Sequence, residues 1–205
     1  MPRDADADPE QLLRLARTGN AVALGRLLEM YRNYLALLAR LHIGRRLRGK
    51  IDPEDLVQDA FLKAHRDFPL FHGTSEAQLA GWLRQILSAN LAMCLRRYLG
   101  TQRRDVRLER ELADAVDQSS QVLDRALIAE QSTPSQRAIR REQAVLLADE
   151  LEKLPSDYRE VIVLRHLEEL SFPEVARRMG RTVDSVQKLW VRALARLRQT
   201  LGDAS

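Results

Sequence analysis

The chain has 205 residues, of which 33 are Lys or Arg and 29 are Asp or Glu, so its formal net charge is only +4. Any nucleic-acid surface must therefore come from the placement of basic residues rather than from their number. The single cysteine excludes an internal disulfide, no Cys/His cluster has zinc-ligand spacing, and no apolar run approaches the about 20 residues that cross a bilayer. With an acidic leader that lacks an apolar signal segment, these features predict a cytoplasmic protein that needs no metal or cofactor.

Sparse glycine and proline, with Leu, Ala, Arg and Glu dominant, predict an all-α fold. We expect two helical domains, at residues 10–104 and 144–202, joined by a flexible linker at 105–143. Helical patterning runs from Glu10 to about Leu41 and is interrupted at Thr18–Asn20, which predicts a turn between two helices. A basic connector, 42–50, follows.

A strong helix start follows at Asp52, where a capping residue precedes Pro53 and two carboxylates. The helix is predicted to run to about Arg66 and to bury one face, formed by Leu56, Val57, Ala60, Phe61 and Ala64. Its opposite stripe carries two carboxylates beside an apolar anchor: Asp55, Gln58, Asp59 and Leu62. Such a stripe suits docking of a basic partner helix, and it is equally compatible with a solvated face. A di-metal carboxylate site is disfavoured, because no Glu-x-x-His pair occurs.

The next segment combines an aromatic loop with an arginine-rich helix. The loop, 68–80, contains Phe68, Phe71 and His72, whose rings either anchor the loop in the core or hold an unstacked base. The helix that follows, 81–99, places Arg84 and Arg96 on its polar side, and basic residues continue beyond them at Arg97, Arg103 and Arg104. This one-sided basic run predicts a nucleic-acid surface, with a solvated arginine face as the alternative.

Residues 105–143 are polar and comparatively acidic, and we expect them to be a linker with partial or partner-dependent helix. Beyond it, a helix from Ala144 ends at Pro155, and another follows from Ser156.

The best-defined motif lies near the C-terminus. Ser171 and Glu174 have the spacing of a capping box, and Gly180 can end the short helix in the left-handed conformation. Thr182 can cap a longer second helix, and small Ala176 allows the two helices to cross closely. Short helix, glycine turn and longer helix together predict a helix-turn-helix.

The exposed arc of this second helix is predicted to bind DNA in the major groove. Gln187 and Lys188 can reach base edges, while Arg181 and Arg192 at its borders can hold phosphates. Asp184 lies at the helix start, where its charge suits the helix dipole. The alternative is an ordinary helical hairpin with a solvated basic face.

Three segments, taken together and in order, resemble the minimal RNA polymerase sigma factors of the extracytoplasmic-function (ECF) group. They are DPEDLVQDAFLKAHRDF, WLRQILSANLAMCLRR and LPSDYREVIVLRHLEELSFPEVARRMGRTVDSV with RALARLR. The resemblance covers about 12–104 and 144–201, and it implies a non-enzymatic protein that directs RNA polymerase to promoters and assists DNA melting. The implied partners are the β′ clamp helices and β flap of core polymerase, promoter DNA and, as a regulator, an anti-sigma factor.

The resemblance also implies site residues. The polymerase-binding set is Asp55, Leu56, Gln58, Asp59 and Leu62. The set that contacts the −10 promoter element is Phe71, His72, Trp82, Arg84, Asn90, Arg96, Arg97, Arg103 and Arg104. The set that contacts the −35 element is Arg181, Thr182, Asp184, Ser185, Gln187, Lys188 and Arg192.

The sequence departs from the family in three places. Asp184 stands where glycine is common, Leu189 and Leu194 stand where arginine is frequent, and the linker is long and acidic. We hypothesise that this linker holds the two domains together in the free protein. The main rival function is a two-domain helix-turn-helix regulator that acts without docking on core polymerase. An enzyme is the weakest hypothesis, because no nucleophile–base pair, glycine-rich phosphate loop or metal cluster occurs.

Overall fold

A computed structural model describes residues 8–43, 50–99, 106–125 and 134–203, and ten α-helices account for most of them. The first five form one bundle: α1 (Pro9–Arg17), α2 (Ala21–Met30), α3 (Arg32–His42), α4 (Pro53–Asp67) and α5 (Glu76–Leu99). The other five are α6 (Val106–Arg125), α7 (Pro134–Lys153), α8 (Ser156–Ile162), α9 (Phe172–Met179) and α10 (Val183–Asp203). The all-α prediction is confirmed. None of the described helices is long and apolar enough to span a membrane.

Side-chain caps fix where the helices of the first bundle begin. The backbone N–H of Ala23 donates to the Asn20 side chain at 3.0 Å, which confirms a turn at Thr18–Asn20. The backbone N–H of Glu54 donates to the Asp52 carboxylate at 2.9 Å and starts α4 as predicted. The single helix expected after Asn20 is divided at Tyr31, where α2 ends and α3 begins.

Leucines from α2, α3 and α5 form the centre of the first bundle. Leu27, Leu35, Leu38, Leu83 and Leu87 have no exposed surface. Burying a leucine side chain stabilises a fold by about 1.5–3 kcal/mol. These helices therefore form a rigid base, and α4 and α5 present their remaining faces outward from it.

The expectation of a flexible linker is wrong for residues 106–125, which form α6. This helix packs against both α3 and α5, and Val116 is completely buried. The reason is a stripe at helical spacing, Leu112, Val116 and Ser120, which the polar composition of the segment concealed. Helix α7 likewise begins at Pro134 rather than at 144. The domain boundaries themselves remain a prediction.

The C-terminal helices meet around α10, which contacts α7, α8 and α9. Between α8 and α9 the chain makes a π-helical turn, Val163–Leu167, and then a left-handed residue, Glu169, with φ of +52°. That conformation costs a non-glycine residue roughly 1–2 kcal/mol. It lets the backbone N–H of Leu170 return to the carbonyl of Leu164 at 3.0 Å, which redirects the chain into α9.

Candidate protein and nucleic-acid interfaces

Helix α4 presents an acidic ridge, which we define as Asp55, Gln58, Asp59 and Leu62. All four residues are exposed, and Leu62 keeps 65% of its surface accessible. The neighbouring face of the same helix is the buried one that contains Val57, Ala60 and Ala64. Leu56 is only 3% exposed, so its assignment to the polymerase-binding set is wrong; it belongs to the core, because it falls on the buried side of α4.

The acidic ridge borders the C-terminal part of α5. Cys94 of α5 is half-buried, and burial raises the pKa of its thiol. Arg97 lowers that pKa and Asp59 raises it, so both charges lie close enough to act on one sulfur atom. A carboxylate predicted to bind protein and an arginine predicted to bind DNA therefore both influence the Cys94 thiol.

The rings of the loop after α4 form an aromatic cluster. The Phe71 and Trp82 ring centroids are 4.9 Å apart, and Phe68 lies 5.8 Å from Phe71 and 6.2 Å from Trp82. Phe71 and Trp82 are both partly buried against the core, which favours an anchoring role for these two predicted −10 residues. Gly73 permits the fold of the loop, because a Cβ there would lie only 2.2 Å from the Phe71 ring.

A cleft of about 400 Å³ opens beside this cluster. One wall comes from the loop and the end of α4, through Phe71, His72 and His65, and the other from Arg17 and Asn20 at the α1–α2 turn. His72, a predicted −10 residue, is exposed at its edge. The cleft combines ring faces with polar side chains, which is the chemistry that a single unstacked base requires. The α1–α2 wall could not be predicted from the sequence, because its residues lie about 50 positions before the loop.

Two residues of the predicted −10 set are not available on the surface of α5. The Arg84 side chain is only 15% exposed, and its Nε donates to the Asp117 carboxylate of α6 at 2.6 Å. Asn90 is 6% exposed, and its Nδ2 has no hydrogen-bond partner among the described atoms. Neither side chain is freely exposed to DNA in this conformation, and their assignment to the −10 set stays a prediction.

The remaining arginines of the −10 set differ in solvent exposure. Arg96 is half-buried, whereas Arg97 is exposed. Arg103 and Arg104 lie outside the described residues, so their assignment as −10 contacts remains a prediction.

The helix-turn-helix forms as predicted. The Glu174 carboxylate accepts hydrogen bonds from the backbone N–H of Ser171 at 2.9 Å and from its hydroxyl at 2.6 Å, and these bonds lower the pKa of Glu174. Gly180 has φ of +65°, and the Thr182 hydroxyl accepts from the N–H of Ser185 at 3.2 Å. Ala176 is 4% exposed where α9 packs against α10.

The outer face of α10 is solvent-accessible. The structure leaves Asp184, Gln187, Lys188 and Arg192 exposed, together with Arg181 and Thr182 just before the helix; Ser185 is half-buried. The Lys188 Nζ donates to Asp184 at 2.8 Å, and Arg181 forms an ion pair with Asp157 of α8. Asp157 could not be predicted from the sequence, because no local pattern connects it with Arg181, 24 positions later.

The two leucines that replace frequent arginines have structural roles. Leu189 and Leu194 are partly buried and pack against the core of the C-terminal helices. Beside them, the Trp190 indole N–H donates to His166 Nε2 at 2.9 Å, and the two rings stack at 5.9 Å. The inner side of α10 is thus fully engaged in packing, and its outer side is left for a ligand.

Comparison with known proteins shows which family the chain resembles. The family profile described as "Sigma-70, region 4" matches residues 144–197. The ECF RNA polymerase sigma-E factor of Haemophilus influenzae is 28% identical over 184 residues, which cover 90% of each chain. A solved structure of CnrH in complex with the cytosolic domain of CnrY is 28% identical and covers 98% of this chain and 100% of its own, with a TM-score of 0.34.

The sigma-E factor of Escherichia coli K12 is 30% identical over 182 residues, which cover 89% of this chain and 88% of the relative. Similarity at this level along both halves of the chain disfavours a regulator that acts without polymerase, and the named relatives are sigma factors rather than enzymes. The chain belongs to the extracytoplasmic-function group of RNA polymerase sigma factors.

Proposed function

We propose that this sigma factor directs RNA polymerase through three separate surfaces of its own. The acidic ridge of α4 binds core polymerase, the cleft and the polar side of α5 hold the melted −10 strand, and the outer face of α10 binds the −35 element. The observation that carries the proposal is the ridge, because Leu62 stays 65% exposed beside two exposed carboxylates on a helix whose other face is core.

The ridge suits the β′ clamp helices that the family resemblance names as its partner. Two carboxylates attract a basic helix and orient it, which mainly raises the association rate. Leu62 then supplies the apolar contact that excludes water at the centre of the interface. Gln58, between the two carboxylates, can donate and accept hydrogen bonds at the rim.

The cleft beside Phe71 is the proposed site for one flipped base of the −10 element. Extruding a base costs a few kcal/mol, and stacking on an aromatic ring returns about 1–3 kcal/mol per base. His72 and Arg17 lie where they can meet the polar edges of the base. Arg97, exposed at the end of α5, can hold a phosphate of the same strand.

The −35 element is proposed to lie along α10. Gln187 and Lys188 reach base edges in the major groove, while Arg181 and Arg192 contact phosphates. Asp157 and Asp184 each compete with DNA for one of these cations, because each already forms an ion pair with it. Exposed pairs of this kind are worth about 0–1 kcal/mol, so DNA phosphates can displace them. The β flap is the proposed support for this domain on polymerase.

The proposal places the protein in the cytoplasm, associated with the nucleoid when bound to polymerase. An anti-sigma factor that covers the acidic ridge would switch it off by competing with core enzyme. Both statements follow from the family resemblance and from the chemistry of the ridge.

Docking is tested by the double variant Asp55→Asn/Asp59→Asn, titrated with core RNA polymerase in a fluorescence-anisotropy assay. We expect affinity to fall at least about tenfold, since charged pairs at interfaces commonly contribute more than 1.4 kcal/mol. The matched control is Asp114→Asn/Glu169→Gln, which makes the same change in net charge at two exposed carboxylates elsewhere. Equal affinity of the two double variants contradicts the docking surface.

The apolar anchor is tested in the same assay with Leu62→Ala. Val22→Ala is its control, because Val22 is 73% exposed on α2 and is likewise aliphatic. Only the first variant is expected to weaken binding. Run-off transcription with core enzyme on a promoter library then identifies the promoters that the holoenzyme uses.

A further inference from the structure

Helix α6 covers part of the surface that the proposed function assigns to DNA. It lies against α3 and α5, and its inner edge is buried at Val116 and Ser120, which are 0% and 4% exposed. The Ser120 hydroxyl accepts a hydrogen bond from Tyr34 at 2.8 Å. The Ser119 hydroxyl lies 3.1 Å from Nε2 of His42. The helix is therefore held on the first bundle by specific contacts to α3 as well as by apolar packing.

The contact with α5 concerns a predicted DNA-binding residue directly. Asp117 of α6 accepts from Arg84 Nε at 2.6 Å, and the same guanidinium donates to the Tyr34 hydroxyl at 3.3 Å. These two bonds and the packing of α6 leave only 15% of the Arg84 side chain exposed, so little of its guanidinium is accessible to a phosphate. The outer side of α6 adds exposed Glu111 and Asp114, which repel a DNA backbone that approaches this face.

A second set of contacts fixes α7 to the same bundle. Asn33 of α3 donates to the Asp149 carboxylate at 2.9 Å. Arg40 of α3 bridges Glu152 of α7 at 2.7 Å and Glu54 of α4 at 3.2 Å, and its side chain is only 28% exposed. The C-terminal helices are thus attached to α3 as well as connected through the chain.

The distance between the promoter elements excludes this conformation from a promoter complex. Elements centred about 25 base pairs apart are separated by roughly 85 Å at about 3.4 Å per pair. A compact chain of this length has a radius of gyration of only about 17 Å. With α7 hydrogen-bonded to α3, one molecule cannot contact both elements, so the contacts between α7 and α3 must open first.

We propose that α6 is an autoinhibitory clasp, in which Asp117 holds Arg84 and the helix covers the adjoining part of α5 until core polymerase separates the two domains. This inference rests on the proposed role of α5 in binding the −10 strand. It assigns Asp117 a regulatory contact and makes Arg84 a DNA contact only in the open state. In this closed state the free protein has a reduced affinity for single-stranded DNA.

The test measures binding of the full-length free chain to a fluorescent single-stranded DNA of random sequence, about 20 nucleotides long, at low salt. Asp117→Asn is expected to bind about tenfold more tightly than the unmodified chain, a ratio equal to about 1.4 kcal/mol. Asp114→Asn is the matched control, because it removes the same charge from the same helix where the described residues show no ion pair. Asp117→Glu, which retains the carboxylate, should restore weak binding.

A second measurement detects the clasp without DNA. Hydrogen exchange at the α6 amides should accelerate in Asp117→Asn and in Ser120→Ala, while circular dichroism shows that both variants remain folded. Equal DNA affinity and equal exchange in Asp117→Asn and Asp114→Asn would overturn the clasp.

The clasp and the proposed function fail in different experiments. Holoenzymes made with the unmodified chain and with Asp117→Asn should initiate equally, because polymerase has already opened both. If holoenzyme with the unmodified chain does not initiate at any promoter, the proposed function fails, whereas the result on the free chain stands.

Discussion

The outer face of α10 and the polar side of α5 were both expected to bind DNA, yet the structure treats them differently. On α10, Gln187, Lys188 and Arg192 are exposed as their spacing predicts. On α5, Arg84 is paired with α6 and Asn90 is buried. On α10, the Asp184–Lys188 contact lies within about one helical turn. On α5, the exposure of Arg84 depends on α6, a helix that begins more than 20 positions later.

The difference shows that local contacts decide the exposure of one proposed promoter surface and distant contacts decide that of the other. Asp184 and Lys188 form an exposed i,i+4 pair that binding can break at little cost. The Arg84 side chain is only 15% exposed where α5 packs against α6, so we expect its release to require movement of α6. The face proposed to bind the −35 element is thus exposed in the free chain, whereas the face proposed to bind the −10 element is partly covered by α6.

The largest expected effect compares two adjacent buried residues of α5. Leu91→Ala should lower the free energy of unfolding by about 3 kcal/mol, because Leu91 has no exposed surface and its loss leaves a cavity. Asn90→Ala should cost less than about 1 kcal/mol, since removal of an unpartnered buried amide relieves its desolvation. Urea unfolding measures both. A cost for Asn90→Ala as large as that for Leu91→Ala would mean that Asn90 is well satisfied in the closed fold.

The close crossing of α9 and α10 should show the next largest effect. Ala176→Leu should lower the unfolding free energy of the protein by about 2 kcal/mol, because the added atoms overpack a site that is 4% exposed. It should also weaken binding to duplex DNA by displacing α10. Arg177→Leu introduces the same side chain at the exposed neighbouring position and serves as the control. Equal stability of the two variants would contradict the buried crossing.

Two left-handed residues in the same domain should respond with opposite signs. Glu169→Gly is expected to raise the unfolding free energy by about 1 kcal/mol, because its φ of +52° strains a residue with a Cβ. Gly180→Ala is expected to lower it by about the same amount, because Gly180 has φ of +65°. Thermal unfolding of both variants measures the effects. A destabilised Glu169→Gly would show that the glutamate side chain outweighs the strain.

The smallest expected effect is a pH dependence at the α3–α6 contact. Burial lowers the pKa of His42, so the unfolded chain takes up a proton below about pH 6.5 while the folded chain does not. Stability should therefore fall as pH decreases through that value and level off below the folded pKa. His166 contributes in the same direction, because burial and then Arg165 lower its pKa.

His42→Gln isolates the first of these two contributions. Between neutral and mildly acidic pH, the melting temperature of both proteins should fall. The fall in His42→Gln should be smaller than that in the unmodified chain by about 2 °C. Calorimetry across this range measures the difference. An unchanged slope would indicate that His42 accepts its proton without cost in the folded state.

Much of the fold was predictable because its signals are local. Asp52, Ser171 with Glu174, Gly180 and Thr182 act on backbone groups within four residues, and each performs its predicted role. The acidic ridge was predictable for a similar reason, since the periodicity of one helix decides which of its side chains are exposed.

The errors arose where a distant segment decides the outcome. Arg84 has an exposed position by its own helix, and Asp117, 33 residues away, removes it from the surface. The polar composition of 105–143 suggested flexibility, although α6 packs against the bundle through a stripe at helical spacing and through hydrogen bonds to α3 and α5. The family resemblance assigned Leu56 to the polymerase-binding set, whereas helical periodicity assigned it to the buried face of α4. The structure agrees with the periodicity.

The two tryptophans give each half of the protein its own optical probe. Trp82 lies 4.9 Å from Phe71 beside the cleft of the first bundle, and Trp190 donates to His166 behind the outer face of α10. Replacing either one by phenylalanine leaves a single tryptophan, in a known half of the chain, whose emission can be excited selectively over that of the tyrosines. Intrinsic fluorescence could then time the engagement of each promoter element independently, without attached dyes.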